Sequence, residues 1–329
     1  MKQLQEAANN ITSLEIQGAT NIAIYAVNEF VKFIQRHSQV ERKELWKLLI
    51  EAETILSKSR STEPAMRNGL MFILGKIRHD QKQGIDVNIA EMAEIYGNEY
   101  LSIIKEAKRR IAKYGARLIP DGLDEPFVVQ THCHSSVVEG ILIEAKKQGK
   151  NFKVISTETR PFYQGRITSQ KLINHGIEVI QVVDSAMRWA AKNLDTDIMI
   201  IGADAVTSEG TVLNKIGSRL LALVAQEEHI PLYVATPLLK YNPGTAFGNY
   251  EKIEMRDNHE IWKDWENKPE NLKFLNPAFE TVNRLYISGV ITEGVIFPSG
   301  QVHTNFQRIY PFLHEAYHLI ENQEESFFN

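Results

Sequence analysis

From Phe127 onward the chain alternates short Val- and Ile-rich runs with longer amphipathic ones, and this alternation constrains the fold more than any other feature. Strand-like runs fall at Phe127–Thr131, Lys153–Thr157, Val179–Val183, Ile198–Ile201 and Leu232–Ala235. Helical runs lie between them, at about 136–148, 168–175, 185–193 and 215–228. Strand, helix, strand at this spacing means right-handed βαβ units and a parallel sheet. The unbroken Val/Ile character of the strands fits a sheet covered on both faces.

The first 115 or so residues read differently. Apolar residues recur at three- and four-residue steps in Ile22, Ile24, Val27, Phe30 and Val31, in Leu45, Leu48, Leu49 and Ile50, and in Leu70, Met71, Ile73 and Leu74, the period of helices. Ile95 to Ile111 suggests a long last helix. The turn-rich segment 118–126 is a plausible boundary. The expected fold class is therefore α/β: an N-terminal helical domain over 1–118, then a Rossmann-like domain over 119–329 with a mostly parallel sheet. Past Lys240 the pattern weakens. Ile253–Asp257 reads as a short strand or edge, Trp262–Pro269 as an excursion, Leu285–Ile287 and Val290–Ile291 as a last strand, and the tail from Phe306 as helix.

Composition narrows the function classes. A net charge of -4 in 329 residues carries no polycation signature, so nucleic-acid binding is not expected. No apolar run approaches the ~20 residues of a membrane span, and Met1-Lys2-Gln3-Leu4-Gln5-Glu6 has no signal-peptide core. A single cysteine excludes an intramolecular disulfide and fits a reducing cytoplasm.

In an open parallel sheet, ligands bind beyond the carboxyl ends of the strands. Those ends carry Cys133, Glu158-Thr159-Arg160, Asp184-Ser185, Gly202-Ala203-Asp204 and Thr236. Cys133 stands where a strand gives way to a helix. Ser136 and Glu139 have capping-box spacing, and a helix N-terminus favours a thiolate; its rival role is that of a small buried hydrophobe. Asp204 ends an apolar run, so its carboxylate is expected to be poorly solvated and suited to exchanging protons. The rival role is a turn acid before Ser208-Glu209-Gly210. Asn214-Lys215 is read as opening a helix after the Gly210 turn, where amide, ammonium and helix N–H groups would grip a phosphate. Arg160 and Lys240 could add charge to the same crevice. Upstream, the breaks at Gly18-Ala19-Thr20 and at Thr62 to Asn68, which includes Arg67, could turn amides or a guanidinium toward an anion. His132 and His134 have no second His or Cys pair at ligand spacing, so no metal is expected.

At these residues the chain resembles a superfamily of archaeal ribose-1,5-bisphosphate isomerases, methylthioribose-1-phosphate isomerases and regulatory subunits of initiation factor 2B. The segments that carry the resemblance are Thr131-His132-Cys133-His134-Ser135, Glu158-Thr159-Arg160-Pro161-Phe162-Tyr163-Gln164-Gly165, Gly202-Ala203-Asp204-Ala205-Val206 and Asn214-Lys215-Ile216-Gly217. It continues through Glu254–Asp257, Asn276–Phe279 and Ile291–Gly294. The ribose-1,5-bisphosphate isomerase branch is the most similar. The resemblance implies an aldose–ketose isomerase of a phosphorylated pentose, most similar to those converting ribose 1,5-bisphosphate to ribulose 1,5-bisphosphate, with Cys133 and Asp204 as the proton-transfer pair. Gln17, Gly18, Ala19, Thr20, Arg67, Ser135, Arg160, Asn214, Lys215 and Lys240 would hold the substrate. No cofactor is implied. The implied partners are the sugar phosphate, a nucleotide (AMP) as activator, and further copies of the chain in a homodimer or hexamer. The alternatives are a non-catalytic factor-2B-like subunit that binds a sugar phosphate or nucleotide, and a methylthioribose-1-phosphate isomerase. Three positions depart from the isomerase pattern: Gln17 where Arg is usual before Gly-Ala, His134 where Asn is usual, and Ser218 for Thr. Gln17 removes a bidentate phosphate partner, and Arg67 is the candidate replacement.

Overall fold

The computed structural model describes residues 1–13, 15–16, 18–84, 88–262 and 269–321. The chain divides into two compact units. One comprises Met1–Glu106, Leu239–Glu251 and His303–Asn329, and the other comprises Ala107–Leu238 and Lys252–Val302.

The first unit is helical, as the apolar spacing requires: α1 (Lys2–Thr12), α2 (Ala19–Arg36), α3 (Arg42–Ser59), α4 (Pro64–Lys82) and α5 (Ile89–Ala116), whose residues from 107 onward belong to the second unit. Pro64 opens α4 at the position where a missing N–H costs nothing. Glycine lets the helices approach closely: a Cβ on Gly69 would stand 2.7 Å from both Val27 and Tyr100. Asn68, fully buried, draws other segments into this unit. Its amide donates to the carbonyls of Leu239 (2.6 Å) and Tyr241 (3.0 Å) and accepts from the Tyr317 hydroxyl (2.7 Å).

The second unit is the expected α/β layer structure. Its elements run β1 (Phe127–Thr131), α6 (Ser136–Lys147), β2 (Phe152–Thr157), α7 (Gln164–Asn174), β3 (Glu178–Val182), α8 (Met187–Asn193), β4 (Ile198–Ile201), β5 (Ala205–Val206), β6 (Val212–Lys215), α9 (Ser218–Glu227), β7 (Leu232–Ala235), β8 (Phe279–Val282), β9 (Gly289–Ile291) and β10 (Ile296–Phe297). Two further helices, α10 (Val302–Ile309) and α11 (Pro311–Glu321), belong from His303 onward to the first unit, so the tail is helical as expected. The main sheet has the order β10-β9-β7-β4-β1-β2-β3 and is parallel except at β10. All four residues of β4 are buried. Val129, Ile198 and Ile200 of the strands pack with Ile141 and Leu142 of α6 and Leu172 of α7 in one core.

Four local expectations change. Asn214 and Lys215 do not open a helix; they end β6, which pairs antiparallel with β5 and β8 in a second, three-stranded sheet. Thr211-Val212-Leu213 has the β-branched character for this, and the helix begins only at Ser218, after Gly217 in the left-handed region (φ 103°). The cap of α6 is Ser135, whose hydroxyl accepts from Val138 N–H at 3.4 Å. Ser136, the expected cap, instead accepts from Lys108 Nζ at 3.0 Å. Ile253–Asp257 contributes only an isolated bridge, Met255 to Pro277. The expected last strand starts at Gly289, because Arg284–Tyr286 forms a 3₁₀ turn capped by Asn283. Most of the excursion after Trp262 lies outside the described residues, as does Gln17.

Candidate active site

Strand order decides which carboxyl ends become neighbours. From β1 the chain steps to β2 and β3 on one side, then returns to place β4 on the other. The crevice of such a sheet opens where the order reverses, here between β1 and β4, paired through Val129–Ile198 and Gln130–Met199. Cys133 follows β1 and Asp204 follows β4. Ser135 lies against the end of β4, since a Cβ on Gly202 would stand 2.6 Å from its Oγ.

Cys133 sits at φ 67°, a left-handed conformation that costs a non-glycine residue about 1 kcal/mol or more. Two hydrogen bonds hold it there. Its N–H donates to Thr159 Oγ1 (2.9 Å), and its carbonyl accepts from the Thr168 hydroxyl (3.0 Å). Thr168 therefore accepts from His134 Nδ1–H, also at 3.0 Å. Thr159 is left-handed too, at φ 60°. Asp184, just past β3, pins that loop: its two carboxylate oxygens accept from the N–H groups of Thr159 and Arg160, each at 2.7 Å.

The thiol contradicts the expectation that the helix terminus makes it a thiolate. Burial pushes it up from 9.0 to about 11; the Lys215 ammonium and the His134 N–H pull it down, and the carboxylates of Asp204 and Asp184 push it further up. The physical reason is position: the helical amides of α6 begin three residues beyond Cys133, while desolvation and two carboxylates act on the sulfur directly.

Asp204 is half-buried, with its N–H donated to Leu213 carbonyl at 2.8 Å. Among the described residues its carboxylate has neither a hydrogen bond nor an ion pair. Lys215 is only 7% exposed, and its ammonium lies 5.1 Å over the Phe279 ring without an anionic or hydrogen-bonding partner among the described residues. A buried, unpaired ammonium is costly unless something anionic reaches it. Asn214 Nδ2 donates to Ser218 Oγ at 2.8 Å. The α9 amides that were expected to grip phosphate are occupied: Glu280 Oε1 accepts from the N–H groups of Gly217 (2.5 Å) and Arg219 (3.0 Å).

Cys133, Ser135, Arg160, Asp204, Asn214 and Lys215 all belong to the second unit. The Arg160 guanidinium is committed to its own neighbourhood, donating to the Tyr163 hydroxyl and to Ile261 carbonyl (3.0 Å). Gly18, Ala19, Thr20, Arg67 and Lys240 belong to the first unit. Gly18 (φ 86°) leads into α2, Arg67 pairs with Glu251 at 2.7 Å and with the Ser61 carbonyl, and Lys240 ends a 3₁₀ turn. Sequence reading passed over Thr157, Thr168 and Glu280. Their roles depend on partners 25 to 63 positions away, as with Thr157 and His132 or Glu280 and Gly217, and nothing local marks them.

The sheet and its switch-point crevice define an open α/β protein with a thiol, a carboxylate and a buried ammonium at the strand ends. The chain belongs to the initiation factor 2 subunit family, IF-2B, whose model matches residues 15–298. It is 37% identical over 309 residues to the ribose 1,5-bisphosphate isomerase of Pyrococcus furiosus, covering 91% of each chain. The crystal structure of the Pyrococcus horikoshii OT3 translation initiation factor eIF-2B is similar at a TM-score of 0.74 and 29% identity, over 91% of this chain and 98% of that one. The tetrameric eIF2B-beta2-delta2 complex of C. thermophilum shares the fold, with a TM-score of 0.71 at 17% identity over 93% and 94% of the two chains. No helix among the described residues is long and apolar enough to cross a membrane.

Proposed function

We propose that the protein is an aldose–ketose isomerase that converts ribose 1,5-bisphosphate to ribulose 1,5-bisphosphate. The observation that carries this reading is the buried Lys215 ammonium, which has no anionic partner among the described residues and pulls down the thiol of Cys133, which the Asp204 carboxylate pushes up. An anionic substrate completes such a site, and a thiol–carboxylate pair supplies acid and base. The similarity to the Pyrococcus furiosus enzyme, over 91% of both chains, supports the choice of substrate.

In this reading the pair shares one proton. At rest it sits on sulfur, and the reactive form carries it on Asp204. Asp204 gives that proton to the ring oxygen as the bond from C1 to that oxygen breaks. The Cys133 thiolate takes the C2 hydrogen as a proton, leaving an enol phosphate between C1 and C2. Asp204 then takes the proton of the O2 hydroxyl while the thiol returns its proton to C1, giving the ketone and restoring both groups. A sulfur with a proton affinity near that of a pKa of about 11 is a strong enough base, once ionised in a dry site, for a carbon acid. Ser135, Asn214 and Lys215 hold substrate oxygens, and the substrate-binding roles that the resemblance gives to Arg160, Gln17, Gly18, Ala19, Thr20, Arg67 and Lys240 belong to the same proposal. So do activation by a nucleotide such as AMP and assembly into a homodimer or hexamer.

The test is to incubate the purified protein with ribose 1,5-bisphosphate and, separately, with methylthioribose 1-phosphate, and to follow the ketose products by NMR. Turnover of the bisphosphate is expected. Turnover of the thioether sugar alone would reassign the substrate, and inertness toward both would remove the isomerase reading.

A further inference from the structure

His132 precedes the sole cysteine and is 2% exposed. Its imidazole joins three segments that are separate in sequence. Nε2 stands 2.8 Å from the Ile216 carbonyl, which can only accept, so Nε2 carries the hydrogen and donates it. Nδ1 is then the acceptor for the Thr157 hydroxyl, at 2.6 Å. Burial pushes the imidazole below its ordinary range, which keeps this one neutral tautomer. The end of β1, the end of β2 and the turn after β6 are thus tied through one ring. Gly217 makes room for it: a Cβ there would stand 2.6 Å from His132 Nε2. The backbone carbonyl that the ring holds is one residue from Lys215, and the ring itself is one residue from Cys133.

We propose that His132 is a positioning residue: its locked imidazole fixes the Lys215 ammonium relative to the Cys133 thiol. The ring has no hydrogen-bonding position left for substrate, since both nitrogens are engaged within the protein. It acts on the reaction only through the two groups it holds. The charges that act on the ring are Asp184, Glu280 and Lys215; two of them, Asp184 and Glu280, pin the loop and turn described above. The inference deepens the isomerase reading and rests on it for its catalytic sense, but the geometry can be tested without turnover.

Because Cys133 is the only cysteine, the rate of alkylation by iodoacetamide reports on it alone. At a fixed, mildly alkaline pH that rate follows the thiolate fraction, offset in part by nucleophilicity. One pKa unit therefore changes it about three- to tenfold. Lys215→Met should slow alkylation by that factor, since it removes the ammonium that opposes the rise. His132→Asn, which cannot place a donor at the Nε2 position, should slow it similarly. His132→Gln, which can, should stay within about twofold of the wild type. The double variant Lys215→Met/His132→Asn should be no slower than the slower single variant, because both act through one ammonium. Thr157→Val, which removes the donor to Nδ1 without changing size, provides the same cycle should His132→Asn fail to fold, as judged by circular dichroism. Additive slowing in the double variant, or unchanged alkylation in folded His132→Asn, would overturn the proposal. Loss of isomerase activity with no coupling in this cycle would leave the isomerase reading standing and remove the role of His132. Intact coupling in a protein inert toward both sugars would do the reverse.

Discussion

The proposed mechanism, in which a thiol raised to about 11 shares one proton with the Asp204 carboxylate, has a distinctive pH signature. Alkylation of Cys133 measures ionisation of the sulfur alone and should climb about tenfold per pH unit through the neutral and mildly alkaline range. The kcat/KM for ribose 1,5-bisphosphate instead measures the pair holding one proton, whichever member carries it. It should be level over that same range and decline only as the pH approaches 11, where the pair loses its proton. A kcat/KM that climbs in parallel with alkylation would mean that the pair must first lose its proton to solvent. The chemistry-bearing residue types were legible in the sequence, because Cys133 stands where a strand gives way to a helix and Asp204 ends an apolar run. The protonation state of Cys133 was not: it depends on Lys215, Asp204 and Asp184, which lie 82, 71 and 51 positions downstream.

At the scale of elements, the loop that cradles Cys133 depends on α7 reaching the end of β2. A Cβ on Gly165 would lie 1.7 Å from the Thr157 carbonyl oxygen, a backbone atom that cannot rotate aside. Gly165→Ala should therefore destabilise the protein by about 3 kcal/mol in urea unfolding. Gly140 offers the contrast. It is inside α6, and its Cβ would meet only Ala112 at an ordinary 3.7 Å. Gly140→Ala should stabilise by about 0.5 kcal/mol, the gain from a stiffer unfolded chain and better helix propensity. Equal effects of the two substitutions would contradict the packing described. The parallel strands were readable because each carries Val or Ile residues in a short run, most fully in β4, where all four residues are apolar and buried. The small sheet of β5, β6 and β8 was missed for a different reason: its strands are two to four residues long, and Asn214-Lys215 after a glycine turn looks like a helix start until β8 pairs with it from 64 to 70 positions away, as in Lys215–Phe279 and Val212–Val282.

At the scale of the whole molecule, the protein is an IF-2B family member whose relatives include isomerases and translation factors. The fold alone does not separate those functions; the site does. Assembly into a dimer or hexamer predicts a mass of at least about twice the 37.5 kDa of the chain by light scattering, and a monomer across micromolar concentrations would contradict it. The central claim is that Cys133 and Asp204 move the protons. The most direct measurement is the turnover of ribose 1,5-bisphosphate by the wild type, Cys133→Ser and Asp204→Asn under identical conditions. A loss of at least about a thousandfold in kcat/KM for each folded variant is expected, the scale of removing an acid or base together with its partner. Retention of activity within about tenfold in either variant would contradict the claim.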